Sequence, residues 1–202
     1  MRSAAMTLRL EEAMRFAARA HAGQLRKSSD TPYFEHVAAV ALVLDRMDFP
    51  EDVVIAGLLH DVIEDTVTTF EEITSLFGAT VSDLVRHCSE VKTDEHGRKR
   101  PWIDRKRDHL LALAEAPAEA RAIVLADKLH NLTSMELDLR DGRPVWSQFH
   151  AEREKVLWYY HAAIETCGSV ESRLEHLAAL CREVLERVER FVVKESATRT
   201  SD

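Results

Sequence analysis

The sequence predicts an all-α fold, and three observations carry this prediction. Ala, Leu, Glu and Arg, which all favour helices, supply 88 of the 202 residues. Glycine and proline are scarce, at six and five residues. No segment alternates apolar and polar residues for long enough to predict a strand. Because 46% of the residues are hydrophobic, the chain can bury one core, and we expect a single bundle of about eight or nine helices.

The first part of the chain predicts five helices, which begin at about residues 8, 31, 50, 69 and 80. Pro32 follows Thr31 and suits the first position of the second helix. The third helix carries VVIAGLLHDVIED (53–65), which is almost wholly apolar before its acids, so we expect a buried central helix. Thr69 and Glu72 form a capping box that begins the fourth helix.

The second part predicts four more helices after a polar, basic stretch at 92–100. Pro101 and Pro117 each begin a helix, a turn at 141–144 follows, and two helices close the fold. We expect residues 1–194 to form one domain and residues 195–202 (ESATRTSD) to form a disordered tail.

The net charge, the apolar runs and the cysteine content exclude several classes of function and location. The formal net charge is −8, and general nucleic-acid binders are usually basic, so a nucleic-acid partner is not expected. No apolar run approaches 18 residues, so neither a membrane partner nor a secretory signal is expected. The three cysteines form no CxxC pair, which predicts reduced thiols in a cytoplasmic protein.

A histidine and an aspartate interrupt the apolar third helix. His60 and Asp61 directly follow seven uncharged apolar residues, and a buried carboxylate costs several kcal/mol unless a cation or another partner compensates it. Glu64 and Asp65 follow one turn later and would share roughly one face with them in a continuous helix. A cation, or the counter-charge of a substrate, would relieve their repulsion, so the pattern favours a metal site over an ordinary helix end whose acids face water.

Two further residues complete the predicted metal set. Asp127 also ends an apolar run, with Asn131 one turn later, and His36 begins the apolar second helix. Two histidines and two carboxylates suit Mn²⁺, Fe²⁺, Zn²⁺ or Co²⁺ better than Ca²⁺ or Mg²⁺. Such a site implies metal-assisted hydrolysis. Seven other histidines lie in charged contexts and are expected at the surface: His21, His87, His96, His109, His150, His161 and His176.

These residues resemble the H…HD…D signature of HD-domain phosphohydrolases. The stretches AHAGQLRKSSDTPYFEHV (20–37), AGLLHDVIEDT (56–66), FGATVSDLV (77–85) and LADKLHNL (125–132) are similar in sequence and order to the hydrolase domain of RelA/SpoT homologues and to stand-alone small alarmone hydrolases. The resemblance covers about residues 15–160 and implies an all-α HD-domain bundle. It also implies an enzyme that removes the 3′-pyrophosphate of ppGpp or pppGpp, giving GDP or GTP.

The resemblance implies a role for nine residues. His36, His60, Asp61 and Asp127 would bind one Mn²⁺ per chain, although other divalent transition metals fit. Glu64 and Asp65 match the family's acid pair, which orients and activates the attacking water. Arg26 and Lys27 match its basic pair beside the nucleotide, and Asn131 matches the asparagine that lines the nucleoside pocket.

The sequence departs from the family's pattern at positions expected around the substrate. These departures bear on which nucleotide is bound rather than on the type of reaction. Val37 replaces a common proline, Lys92 and Thr93 stand in altered order, and 95–107 aligns loosely. One alternative is therefore an HD phosphohydrolase for another nucleotide, such as an adenine alarmone, an NADPH-like dinucleotide or a nucleoside monophosphate. A second is a nucleotide-sensing module without catalysis. The oligomeric state stays open.

Two residue clusters admit more than one interpretation. The basic residues within 98–107 could form a solvated helix face or a phosphate clamp, and nucleic acid is a weaker third option. The aromatic residues at 146–160 could pack in the core, or Trp158 or Tyr159 could stack on a purine.

Overall fold

The computed structural model describes residues 6–27, 29–149, 151–168 and 171–199, with side chains as far as Val192. In these ranges the fold is all-α, as predicted, with no strand beyond two isolated β-bridges. The helices are α1 (Leu8–Ala20), α2 (Phe34–Arg46), α3 (Glu51–Leu59), α4 (Val62–Asp65), α5 (Phe70–Phe77), α6 (Ala79–Cys88), α7 (Trp102–Glu115), α8 (Ala118–Arg140), α9 (Arg153–Gly168) and α10 (Ser172–Arg199). A short 3₁₀ helix, Trp146–Gln148, precedes α9.

Helix α3 lies at the centre of the core. Every residue from Val53 to Leu59 is buried, and α3 packs against α1, α2, α6 and α8. The long helix α8 packs against α2, α9 and α10 as well. The predicted buried central helix is therefore confirmed, and α2, α3 and α8 converge where the apolar runs of the sequence end.

Two predicted helix bounds are wrong for local reasons. Pro32 does not begin α2, because residues 24–27 and 29–33 belong to a hairpin-like loop that includes an antiparallel bridge between Leu25 and Pro32. Backbone hydrogen bonds from Arg26 to Thr31 and from Tyr33 to Gln24, both 2.8 Å long, hold this loop. The central helix also breaks after Leu59 and resumes as α4.

The C-terminal helix α10 continues to Arg199 and so enters the segment expected as a tail. Residues 200–202 lie outside the described residues, and the domain bounds 1–194 and 195–202 stay predictions. Cys88, Cys167 and Cys181 are buried free thiols. Within the described ranges, no helix combines the length and apolar composition needed to cross a membrane.

Candidate functional site

A cavity of about 320 Å³ opens where α2, α3 and α8 converge. Its walls include Arg26, Lys27 and Tyr33 of the loop before α2 and residues of α4, α7 and α9. All nine site residues predicted from the sequence line it: Arg26, Lys27, His36, His60, Asp61, Glu64, Asp65, Asp127 and Asn131. The structure thus brings residues from five separate segments into one cavity.

His36, His60 and Asp127 form a group that could hold a metal ion, with one ligand atom from each lying within 4.8 Å of the others. The Nε2 atom of His36 is 3.2 Å from Oδ1 of Asp127. Asp61 lies beside the same group, with its Oδ2 atom 3.1 Å from Nε2 of His60 and 3.5 Å from Nε2 of His36. Two imidazole nitrogens and two carboxylates therefore face one another in a nearly buried space.

The ring of His60 is held in the orientation that a metal ligand needs. Its Nδ1 atom is 2.8 Å from the carbonyl oxygen of Gly57, and because a carbonyl only accepts, Nδ1 carries the proton and donates. The buried Nε2 atom of His60 has no hydrogen-bond partner among the described residues. This side-chain hydrogen bond lies at the point where α3 ends and α4 begins.

His36 is oriented by a second histidine that the sequence analysis missed. Nδ1 of His36 is 2.8 Å from Nδ1 of His130, and Nε2 of His130 is 3.1 Å from a carboxylate oxygen of Glu35. Because that carboxylate accepts, His130 donates through Nε2 and accepts through Nδ1. His36 then donates through Nδ1, and this bond fixes the ring with its Nε2 atom facing Asp127.

The charges of the group attract a cation. Burial alone would raise the pKa of the Asp61 carboxyl, but His60 and His36 hold that pKa well below its usual value. Burial also opposes the ionisation of Asp127, yet Lys128 and the same two histidines lower its pKa well below the usual value. The phenol of Tyr33 donates to Oδ2 of Asp61 over 2.6 Å. Both carboxylates are thus ionised in a nearly dry space.

The acid pair Glu64 and Asp65 lies on α4, at one side of this group. Oε1 of Glu64 accepts from the backbone N–H of Glu90 over 2.8 Å. The ammonium of Lys92 is 2.9 Å from Glu64 and 3.2 Å from Asp65. Burial raises the pKa of Glu64, against the opposing effects of the Glu90 N–H and the Lys92 ammonium. One lysine therefore forms ion pairs with both acids, and both acids line the cavity.

Arg26 and Asn131 form a polar wall beside Asp127. Asn131 donates to Oδ1 of Asp127, and Arg26 donates to the side-chain oxygen of Asn131 over 2.6 Å. The guanidinium of Arg26 also lies 5.5 Å from the centre of the Tyr33 ring. The ammonium of Lys27 lies 5.9 Å from the ring centre of Phe149, another cavity residue.

The inner end of the cavity contains a cluster that the sequence analysis did not assemble: Glu90, Lys106, His109, Lys128 and Tyr159, which we call the inner chamber. Lys128 Nζ is 2.6 Å from Oδ2 of Asp127, so the inner chamber adjoins the metal group. Lys128 follows Asp127 at the end of an apolar run, and this position is the one sequence signal that could have identified it.

The structure shows which members of the basic and aromatic clusters line the cavity. Arg98 and Arg100 pair with Asp94 and Asp108 away from the cavity, whereas Lys106 lines it. Trp158 is exposed and is not a cavity residue, whereas Tyr159 is buried and is one.

The predicted surface positions of seven histidines are correct for four, His87, His96, His161 and His176, which are exposed. They are wrong for His21 and His109, which are buried. His21 contacts Gln24 at 2.8 Å, and His109 contacts the hydroxyl of Tyr159 at 2.9 Å. His150 lies outside the described residues.

Comparison with known proteins places this site in a family. Residues 13–156 match the HD domain family. The chain is 36% identical to the human protein named guanosine-3′,5′-bis(diphosphate) 3′-pyrophosphohydrolase MESH1, over 83% of this chain and 92% of that one. It is 39% identical to the MESH1 of Drosophila melanogaster, over 81% and 87% of the two chains.

A longer plant relative and two solved structures extend the comparison. The chain is 40% identical to the probable GTP diphosphokinase RSH2 of Oryza sativa subsp. japonica, but it spans only 17% of that protein's length. A structure described as a metazoan ortholog of SpoT that hydrolyzes ppGpp matches with a TM-score of 0.76 and 27% identity, over 92% of this chain and 98% of that one. The crystal structure of lmo0812 from Listeria monocytogenes EGD-e matches with a TM-score of 0.64 and 34% identity, over 80% and 99%.

Proposed function

The chain belongs to the HD-domain family and, within it, to the group of the MESH1 pyrophosphohydrolases, and we propose that it hydrolyses the guanosine alarmones ppGpp and pppGpp. The reaction would release the 3′-pyrophosphate and leave GDP or GTP. One observation carries the proposal: a buried His–His–Asp group, an acid pair and an arginine–lysine pair line a single cavity in a chain that covers most of the length of such hydrolases.

The donor set fits a divalent transition metal. The Nε2 atoms of His60 and His36 face two ionised carboxylates, and nitrogen with carboxylate oxygen suits Mn²⁺. We assign His36, His60, Asp61 and Asp127 as its ligands and Mn²⁺ as the ion, one per chain. When bound, the ion would polarise phosphate oxygens and favour ionisation of water.

Glu64 and Asp65 would prepare the attacking water. Neither carboxylate belongs to the His–His–Asp group, and both lie on the cavity wall next to it. A carboxylate that accepts a hydrogen bond from water can aim its oxygen and take its proton. Burial raises the pKa of Glu64, which makes this carboxylate a better proton acceptor than an exposed one.

The attack would occur at the phosphorus that is attached to the ribose 3′ oxygen. The bond from phosphorus to that oxygen breaks as the water oxygen bonds to phosphorus, and the proton taken from the water passes to the 3′ oxygen. Pyrophosphate is released, and the nucleoside is left with a 3′ hydroxyl. Arg26, Lys27 and Asn131 would hold the nucleotide, because cations and an amide suit phosphate oxygens and a base edge. We propose that the reaction takes place in the cytoplasm, as expected from the sequence.

A nucleotide panel tests this proposal. Protein loaded with Mn²⁺ is incubated with ppGpp, pppGpp, the adenine counterparts, NADPH and nucleoside monophosphates, and the products are identified by mass. We expect GDP or GTP together with intact pyrophosphate. Stepwise release of phosphate, or rapid turnover of another nucleotide without turnover of ppGpp, would favour the general HD phosphohydrolase. Tight binding of nucleotide without any product would favour the sensing module.

A further inference from the structure

The inner chamber presents more cations than carboxylates. Glu90 contacts Lys106 at 2.9 Å and Arg105 at 3.2 Å, so one carboxylate serves two cations. Lys128 has Asp127 as its carboxylate partner, and Asp127 also faces the two histidines of the metal group. The side chains of Lys106 and Lys128 are only 18% and 12% exposed, so water screens these charges little.

The two ammonium groups converge on one aromatic ring. Nζ of Lys106 is 4.5 Å, and Nζ of Lys128 5.3 Å, from the centre of the Tyr159 ring. Lys128 and burial lower the pKa of Lys106, with burial the larger cause. The two ammonium groups therefore repel each other in a nearly dry space, and an anion bound by both would remove that repulsion.

His109 adds a third donor to the same chamber. The one hydrogen bond of the Tyr159 hydroxyl among the described residues is to Nδ1 of His109, over 2.9 Å. Burial and the two lysines lower the pKa of His109 to about 4, so this ring is neutral. In the tautomer in which the phenol donates to Nδ1, the proton of His109 lies on Nε2, and the proposal below uses this tautomer. That buried Nε2 atom has no partner among the described residues.

Asp127 separates two parts of the cavity. Its Oδ1 atom accepts from Asn131, which Arg26 supports, whereas its Oδ2 atom contacts Lys128. The residues proposed to hold the nucleoside are therefore linked to one carboxylate oxygen, and the inner chamber to the other. A phosphate group in the inner chamber would lie on the Oδ2 side of Asp127, opposite the Oδ1 side that Asn131 and the two histidines face.

We propose that the inner chamber is a subsite for the terminal phosphate of the group that leaves as pyrophosphate, with Lys106, Lys128 and the Nε2–H of His109 as donors. This proposal rests on the proposed function, and it places the terminal phosphate of the 3′-diphosphate in the inner chamber. The 5′-diphosphate of the nucleotide offers the same chemistry, and the experiment separates these two sources.

The test measures binding rather than turnover. Radiolabelled pyrophosphate and, separately, labelled GDP are equilibrated with the full chain by dialysis at one fixed concentration of free Mn²⁺, and the metal content of each variant is measured. Lys106→Met should weaken pyrophosphate binding by about 10-fold or more, as expected for a lost hydrogen bond to a charged group. Binding of GDP should change far less.

Variants that should tighten pyrophosphate binding, or leave it unchanged, distinguish the loss of a contact from a general loss of structure. Glu90→Gln releases Lys106 and Arg105 from their shared carboxylate and should tighten pyrophosphate binding. Arg107→Met removes one positive charge from the next position of α7, which is exposed and not a cavity residue, and should leave binding unchanged. His109→Phe keeps an aromatic ring, removes the donor and should weaken binding, which provides a second test if Lys106→Met does not fold.

Each outcome decides the proposal. Unchanged pyrophosphate binding in both Lys106→Met and His109→Phe would overturn it, as would a wild-type protein that does not bind pyrophosphate. Loss of GDP binding instead of pyrophosphate binding would assign the chamber to the 5′-diphosphate and would also overturn it. A protein that binds pyrophosphate through Lys106 but does not hydrolyse ppGpp would refute the proposed function and support a diphosphate subsite.

Discussion

His130 should control the affinity of the metal group although it does not belong to that group. Its Nδ1 atom accepts the proton of His36 Nδ1 over 2.8 Å, and its Nε2 atom donates to Glu35. His130→Ala removes the acceptor and leaves the Nδ1–H of His36, a residue only 1% exposed, without its partner. The His36 ring could then turn or adopt the other tautomer, and its Nε2 lone pair would no longer be fixed toward Asp127.

Two independent considerations give the same size of effect. An unpaired buried donor costs about 1–3 kcal/mol, and changing the hydrogen-bond partner of a metal-binding histidine typically costs about 10–100-fold in affinity. Since a tenfold change corresponds to about 1.4 kcal/mol, both predict that Mn²⁺ binds about 10–100-fold more weakly to His130→Ala. The contribution of Glu35 should be smaller, because its side chain is 50% exposed.

Competition with a fluorescent metal indicator measures this affinity without reference to turnover. The matched variant is His130→Asn, whose side-chain oxygen can accept from His36 at about the same distance from the backbone. His130→Asn should therefore keep most of the affinity that His130→Ala loses. Wild-type affinity in His130→Ala, or equal losses in both variants, would refute this account of how His36 is oriented.

Three further predictions follow from the site. Glu64→Gln or Asp65→Asn should keep the fold and the metal but lower kcat by at least about 10²-fold, with a far smaller change in KM; near-wild-type kcat at full metal occupancy would exclude the acid pair as the proton acceptor. His60→Ala should lose the ion, and chelation of the wild type should abolish an activity that Mn²⁺ restores best; elemental analysis of an active preparation that contained no metal would contradict this. Because burial and two lysines lower the pKa of His109 from 6.5 to about 4, the unfolded chain binds a proton there first, so stability present above pH 6.5 is lost as the pH falls toward 4. Urea melts should detect a decrease of about 2 kcal/mol between pH 7 and pH 5 that His109→Gln does not show; parallel profiles would contradict the neutral ring.

The site residues that could be predicted from the sequence are polar residues whose neighbours along the chain are apolar. His60 and Asp61 interrupt an apolar run, and Asp127 ends another. Their burial, and the free-energy cost of burying a charged group, could therefore be inferred from the neighbouring residues alone. The all-α fold is confirmed because composition and period depend on many residues at once. The roles assigned to these residues stay predictions until the variants are measured.

Residues whose environment depends on distant helices could not be predicted in this way. His109 and Lys106 belong to a helix rich in charged residues, and they are buried because α7 packs against α9, which supplies Tyr159. His130 was overlooked because its contact with His36 joins α8 to α2. The break after Leu59 coincides with a hydrogen bond between the His60 side chain and the Gly57 carbonyl, which hydrophobic periodicity does not record.

The break between α3 and α4 also bears on how the site assembles during folding. Ideal helix geometry rotates consecutive side chains by about 100°, yet here the adjacent residues His60 and Asp61 bring Nε2 and Oδ2 to 3.1 Å. No loop has to close to join these two proposed ligands, whereas His36 and Asp127 reach them only when α2 and α8 dock on α3. Half of the chelate would thus form locally, and an ion that binds all four ligands would stabilise the docked helices against opening, by an amount that grows with the free metal concentration.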